Sequence, residues 1–165
     1  MSKVIFPGSF DPVHLGHVDI ARRAASLFDE VVIAVYDKPL KSLLFSPRER
    51  IAMVKQATRD IPNITIVGYN GLTVQFAKQV GAIAIVRGLR VFSDFEYEFR
   101  MAMANKRLEP EMETIAFVTD EQNTFLSSST VKEIASLGGD VSTMVPENVL
   151  KALLKKYQPN GSGEA

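Results

Sequence analysis

The sequence predicts an α/β protein built on an open, doubly wound parallel sheet of about five strands. Three observations lead there. Short apolar runs rich in branched residues alternate with longer stretches of helical period, about five times in succession. The chain has 165 residues, well short of the ~250 typical of an eight-unit barrel. Residues 1–157 contain no internal repeat, low-complexity tract or linker. One domain is therefore expected over 1–157, followed by a flexible tail at 158–165, where Pro159, Asn160, Gly161, Ser162 and Gly163 cluster.

Each element has its own signal. Residues 4–6, 31–36, 64–67, 83–86 and 114–118 read as buried strands. The first helix is expected over 17–28, with Val18, Ala21, Ala25 and Phe28 on one face. Ser46, with Pro47 after it and Glu49 three residues on, forms a capping box that starts a helix over 47–59. A helix over 73–80 ends at Gly81, a residue suited to a left-handed cap. A long charged helix follows over 92–108. Thr130 with Glu133 suggests a second capping box for a helix over 130–137, stopped by Gly138 and Gly139. A last helix spans 146–157.

Composition narrows the chemistry. The hydrophobic share is 46% and the charged share 23%, ordinary for a globular protein. Lys+Arg and Asp+Glu are both 19, so a protein that coats nucleic acid or an anionic membrane by bulk charge is not expected. Cys is 0, which removes disulfides, thiolate metal sites and cysteine nucleophiles. No stretch reaches the ~20 apolar residues of a membrane span, and no secretory h-region follows Met1, so the expected compartment is the cytoplasm. His is 2, and His14 and His17 stand within one loop.

In an open parallel sheet, ligands bind beyond the carboxyl ends of the strands, so the segments after each strand matter most. After the first comes Pro7-Gly8-Ser9-Phe10-Asp11-Pro12, then His14, Gly16 and His17 at a helix start. Free N–H groups there favour an anion, and an imidazole donor beside them suits a phosphate. Two other readings stand beside that one. The histidines could satisfy loop backbone groups, or His-x-x-His with Asp11 could chelate zinc. Lys38 and Lys41 follow the second strand, and Arg87-Gly88-Leu89-Arg90 follows the fourth, two arginines around a glycine. After the fifth comes Asn123-Thr124-Phe125-Leu126-Ser127-Ser128-Ser129-Thr130, a hydroxyl-rich helix start. The dinucleotide fingerprint, the P-loop and the hydrolase elbow are all missing. The chain thus reads as a phosphate-handling protein outside the commonest nucleotide-binding classes.

Gly8-x-Phe10-Asp11-Pro12 followed by His14-x-Gly16-His17 resembles the signature of the HxGH nucleotidyltransferase superfamily. Ser127-Ser128-Ser129-Thr130-Val131-Lys132 is similar to its second signature. Arg87-Gly88-Leu89-Arg90 continuing into Asp94-Phe95-Glu96-Tyr97-Glu98 resembles the bacterial phosphopantetheine adenylyltransferase family. So do Phe45-Ser46-x-x-Glu49-Arg50 and Val145-Pro146-Glu147-Asn148-Val149. The likeness covers about residues 3–157 in the family's order. Many members carry Thr where His14 stands, and no role is assigned to His14 here.

The resemblance implies a Rossmann-like nucleotidyltransferase fold and transfer of the adenylyl group of ATP to 4′-phosphopantetheine, giving dephospho-CoA and pyrophosphate. It implies His17 as the catalytic donor to the α-phosphate. It places Ser9, Phe10, Gly88, Leu89, Arg90, Glu98 and the run Asn123 to Ser129 against ATP, with Arg90, Ser128 and Ser129 at the β- and γ-phosphates. Lys41 and Arg87 would hold the phosphate of phosphopantetheine, helped by Ser9, Leu72 and Thr73. Mg²⁺ is expected mainly on the ATP phosphates, without a metal site of protein ligands. A homohexamer, and dephospho-CoA or CoA as product or inhibitor, belong to the same expectation. Met101 and Met103 read as helix packing or a subunit interface. The alternatives are another HxGH enzyme with a nicotinate-nucleotide or glycerol-phosphate acceptor, or a non-catalytic nucleotide binder of this fold.

Overall fold

The computed structural model describes residues 1–37 and 42–158. Five parallel strands, β1 (Lys3–Gly8), β2 (Glu30–Tyr36), β3 (Ile64–Tyr69), β4 (Ala84–Leu89) and β5 (Glu113–Val118), form one sheet in the order β3-β2-β1-β4-β5. Among the described residues six α-helices connect and cover them: α1 (Leu15–Leu27), α2 (Pro47–Ala57), α3 (Thr73–Gln79), α4 (Phe92–Leu108), α5 (Ser128–Ser136) and α6 (Glu147–Tyr157). Strand alternation splits the core in two. Val4, Phe6, Val31, Ile33 and Val86 pack with α1, α2, α5 and α6 on one face, whereas Ile5, Val32 and Ile85 pack with Val74 and Ala77 of α3 on the other. The open, doubly wound parallel sheet expected from the alternation is thus the one observed.

Some boundaries differ from the sequence reading. β4 runs on to Leu89, so Arg87 and Gly88 are strand residues rather than the loop after it. The reason is pairing: Arg87 stands opposite Ala116 and Gly88 opposite Phe117 on β5. A Cβ at Gly88 would meet Ile20 Cδ1 of α1 at 2.4 Å, so a side chain there would make the tip of Ile20 shift. Helix α5 begins at Ser128, capped by Ser127, and not at Thr130. The Ser127 hydroxyl accepts from the Thr130 amide at 3.0 Å, which displaces the expected Thr130–Glu133 box. A short 3-10 turn, Glu121–Asn123, follows β5. The Ser46–Glu49 capping box of α2 is present with both hydrogen bonds, and Gly81 has the expected positive φ of 74°.

The sheet has its switch point between β1 and β4, because the chain winds outward in one direction from β1 through β2 to β3 and in the other from β4 to β5. There the two strands part. β1 stays paired with β2 as far as Gly8↔Val35, and β4 with β5 as far as Leu89↔Val118. Between β1 and β4 the register holds only Val4↔Ala84 and Ile5↔Ile85.

Candidate active site

The parting of β1 and β4 opens a cavity of about 350 Å³ at the carboxyl end of the sheet, within the range typical of ligand pockets. Its walls come from the β1–α1 loop, the ends of β4 and β5, the face of α4 and the start of α5. Arg87 spans the parted strands: its Nη1 donates to the Pro7 carbonyl at 3.1 Å.

The two histidines are locked by the start of α1. His14 is the N-cap, and its Nδ1 accepts from the Gly16 amide at 3.1 Å. His17 is the third helical residue, and its Nδ1 accepts from the His14 amide at 3.1 Å. Both acceptor nitrogens are therefore used by backbone donors, so the proton of each neutral imidazole sits on Nε2. The rings stack with centroids 3.7 Å apart, and Phe10 stands edge-on to His17 at 4.8 Å. Burial first, then Arg90, lowers His14 from 6.5 to about 3. Burial also holds His17 well below 6.5, with His14, Arg90 and Arg87 adding to it. At neutral pH the loop thus presents neutral N–H donors. The backbone reading of the histidines accounts for Nδ1 of each ring and leaves Nε2–H of each as a donor. Among the described residues no three His, Cys, Asp or Glu side chains come together as a metal site, so the zinc reading of His14, His17 and Asp11 has no such cluster behind it.

Among the described residues three cations line the cavity, and each is held by a carboxylate. Arg87 Nε and Nη2 both reach Glu98 at 2.8 Å. Arg90 donates to Asp94 through Nε at 3.1 Å and Nη2 at 3.2 Å, and to the Leu126 carbonyl through Nη1. Lys132 Nζ meets Asp11 at 2.8 Å. A guanidinium has five N–H donors, so both arginines keep donors beyond these contacts. Asp94 and Glu98 lie four residues apart and share one face of α4. Burial alone would lower Arg87, but the bonds and charge of Glu98 more than offset it and leave it raised. Arg87 is a cation at every working pH. Thr119 adds one unusual feature. Its Oγ1 is buried without a hydrogen-bond partner and it lines the cavity.

Residues 5–134 match the cytidylyltransferase-like family model. The chain is 51% identical to the phosphopantetheine adenylyltransferase of Caldanaerobacter subterraneus subsp. tengcongensis, covering 96% of this chain and 99% of that one. It is 50% identical to that of Roseiflexus sp. over 95% and 98%, and 49% identical to that of Heliobacterium modesticaldum over 100% and 98%. The chain belongs to the phosphopantetheine adenylyltransferase family. A structure from Vibrio parahaemolyticus, assigned provisionally as a nicotinate-nucleotide adenylyltransferase, superposes with a TM-score of 0.69 at 18% identity and covers 96% of this chain and 98% of that one. That likeness speaks for the fold.

Within this adenylyltransferase the structure gathers most of the residues singled out from the sequence. Ser9, Phe10, His17, Arg87, Gly88 and Arg90 line the cavity. So do Glu98, Asn123, Ser127, Ser128 and Ser129. Glu98 has both oxygens on Arg87, which makes it a partner of the arginine as well as a wall residue. Ser127 caps α5, and the Ser128 hydroxyl donates to the Pro12 carbonyl at 2.8 Å, tying α5 to the β1–α1 loop. Leu126 is buried and offers its carbonyl to Arg90, while Phe125 is exposed. Leu89, Thr124, Leu72 and Thr73 stand outside the cavity wall. Thr73 instead shares a hydrogen bond of 2.8 Å with Tyr69 at the end of β3. Lys41 lies outside the described residues, as does the tail from 159 on.

Other wall residues are Asp94, Thr119 and Lys132, which had no role assigned from the sequence, and Asp11 and His14, which entered only the zinc and backbone readings. Asp94 carried a readable signal, its i, i+4 spacing from Arg90. Asp11 and Lys132 are 121 residues apart, and only the fold brings them together.

Proposed function

We infer that this cavity joins ATP to 4′-phosphopantetheine, giving dephospho-CoA and pyrophosphate. One observation carries the reading. In a chain of this family, a neutral His17 with its proton on Nε2 shares the cavity with Arg87 and Arg90 at the point where β1 and β4 part. The acceptor phosphate has a second pKa near 6 and is largely dianionic at pH 7, so it needs no general base. One of its oxygens forms a bond to the α-phosphorus of ATP. The bond from that phosphorus to the β-bridging oxygen breaks, and pyrophosphate leaves with the electron pair. The protein supplies alignment and relief of charge repulsion.

Residues are assigned to these tasks as follows. His17 Nε2–H donates to the α-phosphate as charge builds there. Arg87, with Lys41, holds the acceptor phosphate, and Arg90 with Ser129 receives the β- and γ-phosphates. The walls around Gly88, Ile20 and Thr119 take the nucleoside. Mg²⁺ is proposed to come in on the ATP phosphates, because the cavity carboxylates Asp11, Asp94 and Glu98 are each engaged by a cation. Bound there, it would neutralise phosphate charge.

We further propose a cytoplasmic homohexamer that does not act on nucleic acid or membrane, with dephospho-CoA, and CoA by likeness to it, competing for the same cavity. No helix among the described residues is long and apolar enough to cross a membrane. Self-association is supported by α4, which buries no residue. It exposes a ladder of Phe92, Phe95 and Phe99, with ring centroids 6.5 and 5.8 Å apart. Such a stripe invites a protein surface. Light scattering on the purified protein tests the assembly, with a monomer as the contrary result. Pyrophosphate release from ATP with 4′-phosphopantetheine, nicotinate mononucleotide or glycerol phosphate tests the reaction. Turnover only with one of the latter two would overturn the assignment.

A further inference from the structure

Asp11 is 2% exposed, so water does little to carry its charge. Its Oδ1 accepts from the Phe45 amide at 2.9 Å, and its Oδ2 accepts from the Leu44 amide at 2.9 Å. Among the described residues Lys132 is the cation in contact with it, at 2.8 Å from the first turns of α5, and the buried Arg50 guanidinium also acts on its charge, from its own bonds to the Ser9 and Phe45 carbonyls. Three parts of the site therefore meet at one carboxylate: the loop that carries Ser9 and Phe10, the segment that follows Lys41 in the chain, and the helix that carries Ser128 and Ser129.

We propose that the Asp11–Lys132 pair is a positioning device that ties the ATP phosphate end of the site to the acceptor end. In it, Lys132 makes a buried carboxylate tolerable beside incoming phosphates. An ammonium that only bound phosphate would be missed as one ligand. An ammonium that also neutralises Asp11 leaves, when removed, a buried carboxylate without its contact cation facing polyphosphate, with only the more distant Arg50 charge to offset it. Removing that second charge should then recover binding, because the two residues act as one unit. The proposal rests on the reading of the cavity as the ATP site.

The test is a double-mutant cycle read by calorimetry with a non-hydrolysable ATP analogue, with thermal melting as the fold control. Lys132→Met keeps the side-chain stem and is expected to weaken analogue binding by about 30-fold or more. Adding Asp11→Asn to it is expected to restore binding by about threefold or more, within the range of couplings between contacting residues. A double variant that binds no tighter than Lys132→Met overturns the proposal and leaves Lys132 a simple phosphate ligand. Lys132→Met binding as well as wild type overturns it also. Asp11→Asn alone supplies an independent arm if Lys132→Met does not fold. It should raise the KM for the acceptor by about fivefold or more while leaving the KM for ATP within about twofold, and a rise confined to ATP contradicts the proposal. Wild-type protein that binds no ATP analogue removes the functional reading itself, whereas tight wild-type binding with a flat cycle removes the pair's role alone.

Discussion

The main-chain amide of His14 donates to Nδ1 of His17 at 3.1 Å, which leaves the proton of this cavity-lining residue on Nε2. The backbone selects the tautomer and burial keeps the ring neutral, so the donor is set before any substrate arrives. Loss of a single transition-state donor typically lowers kcat by about 10²–10³. His17→Ala is expected to fall in that range in a pyrophosphate-release assay, with kcat and kcat/KM dropping together. The acid limb of the wild-type pH profile should fall near pH 6, the second pKa of the acceptor phosphate. It should stay there in His17→Asn, because the His17 proton is not exchanged in that range. A limb that moves with the substitution would contradict the assignment.

His14 makes stability depend on pH. Its folded value is about 3 against 6.5 for the free group. Between those limits the unfolded chain binds a proton that the folded one refuses, so stability falls as pH falls below 6.5. His14→Thr keeps an N-cap oxygen and removes that linkage. Melting temperatures should decline from pH 7 to 5 in the wild type and decline less in the variant. Equal slopes would show that His14 is not the source.

Glu98 holds Arg87 by two bonds of 2.8 Å. The amide of Glu98→Gln can accept from only one of the two donors and carries no charge. The arginine loses its orientation, and the expected result is a KM for phosphopantetheine raised about tenfold with kcat less affected. Initial-rate kinetics with each substrate varied would show it. An effect confined to the KM for ATP would place Glu98 on the nucleotide instead.

Gly88 packs against the tip of Ile20 on α1. A methyl there would meet Ile20 Cδ1 at 2.4 Å in the buried face between β4 and α1. Overpacking of this kind costs about 1–3 kcal/mol. Gly88→Ala should lower stability by that amount in urea unfolding, and Ile20→Val, which deletes the clashing methyl, should recover most of it. Additive losses in the double variant would rule out this contact as the cause.

Thr119 Oγ1 is buried without a partner. Thr119→Val exchanges an orphan hydroxyl for a methyl of similar shape, which should leave the melting temperature unchanged or raised. If the hydroxyl meets the nucleoside, ATP affinity falls several-fold in the same protein. A clear loss of stability would mean that the hydroxyl is already satisfied.

Local pattern alone determined a good part of this protein. The alternation of short apolar runs with helical stretches was enough for a parallel doubly wound sheet, because strands buried on both faces must be apolar throughout. Capping chemistry at Ser46 and Gly81 placed two helix ends, and the motif residues after the strands marked the cavity's side of the sheet. The tertiary structure decided what depends on pairing between distant segments. Arg87 and Gly88 look like loop to a local reading, since a charge and a glycine break an apolar run. They are strand because β5 pairs with them. The cavity exists because β1 parts from β4 after Ile5 and Ile85, a property of register that no single segment carries. The same holds for the charges: among the described residues each cavity cation has its own carboxylate, and the Asp11–Lys132 pair closes across 121 residues. Local sequence can specify which groups are charged. Only the folded chain, by removing them from water, requires that each find a partner.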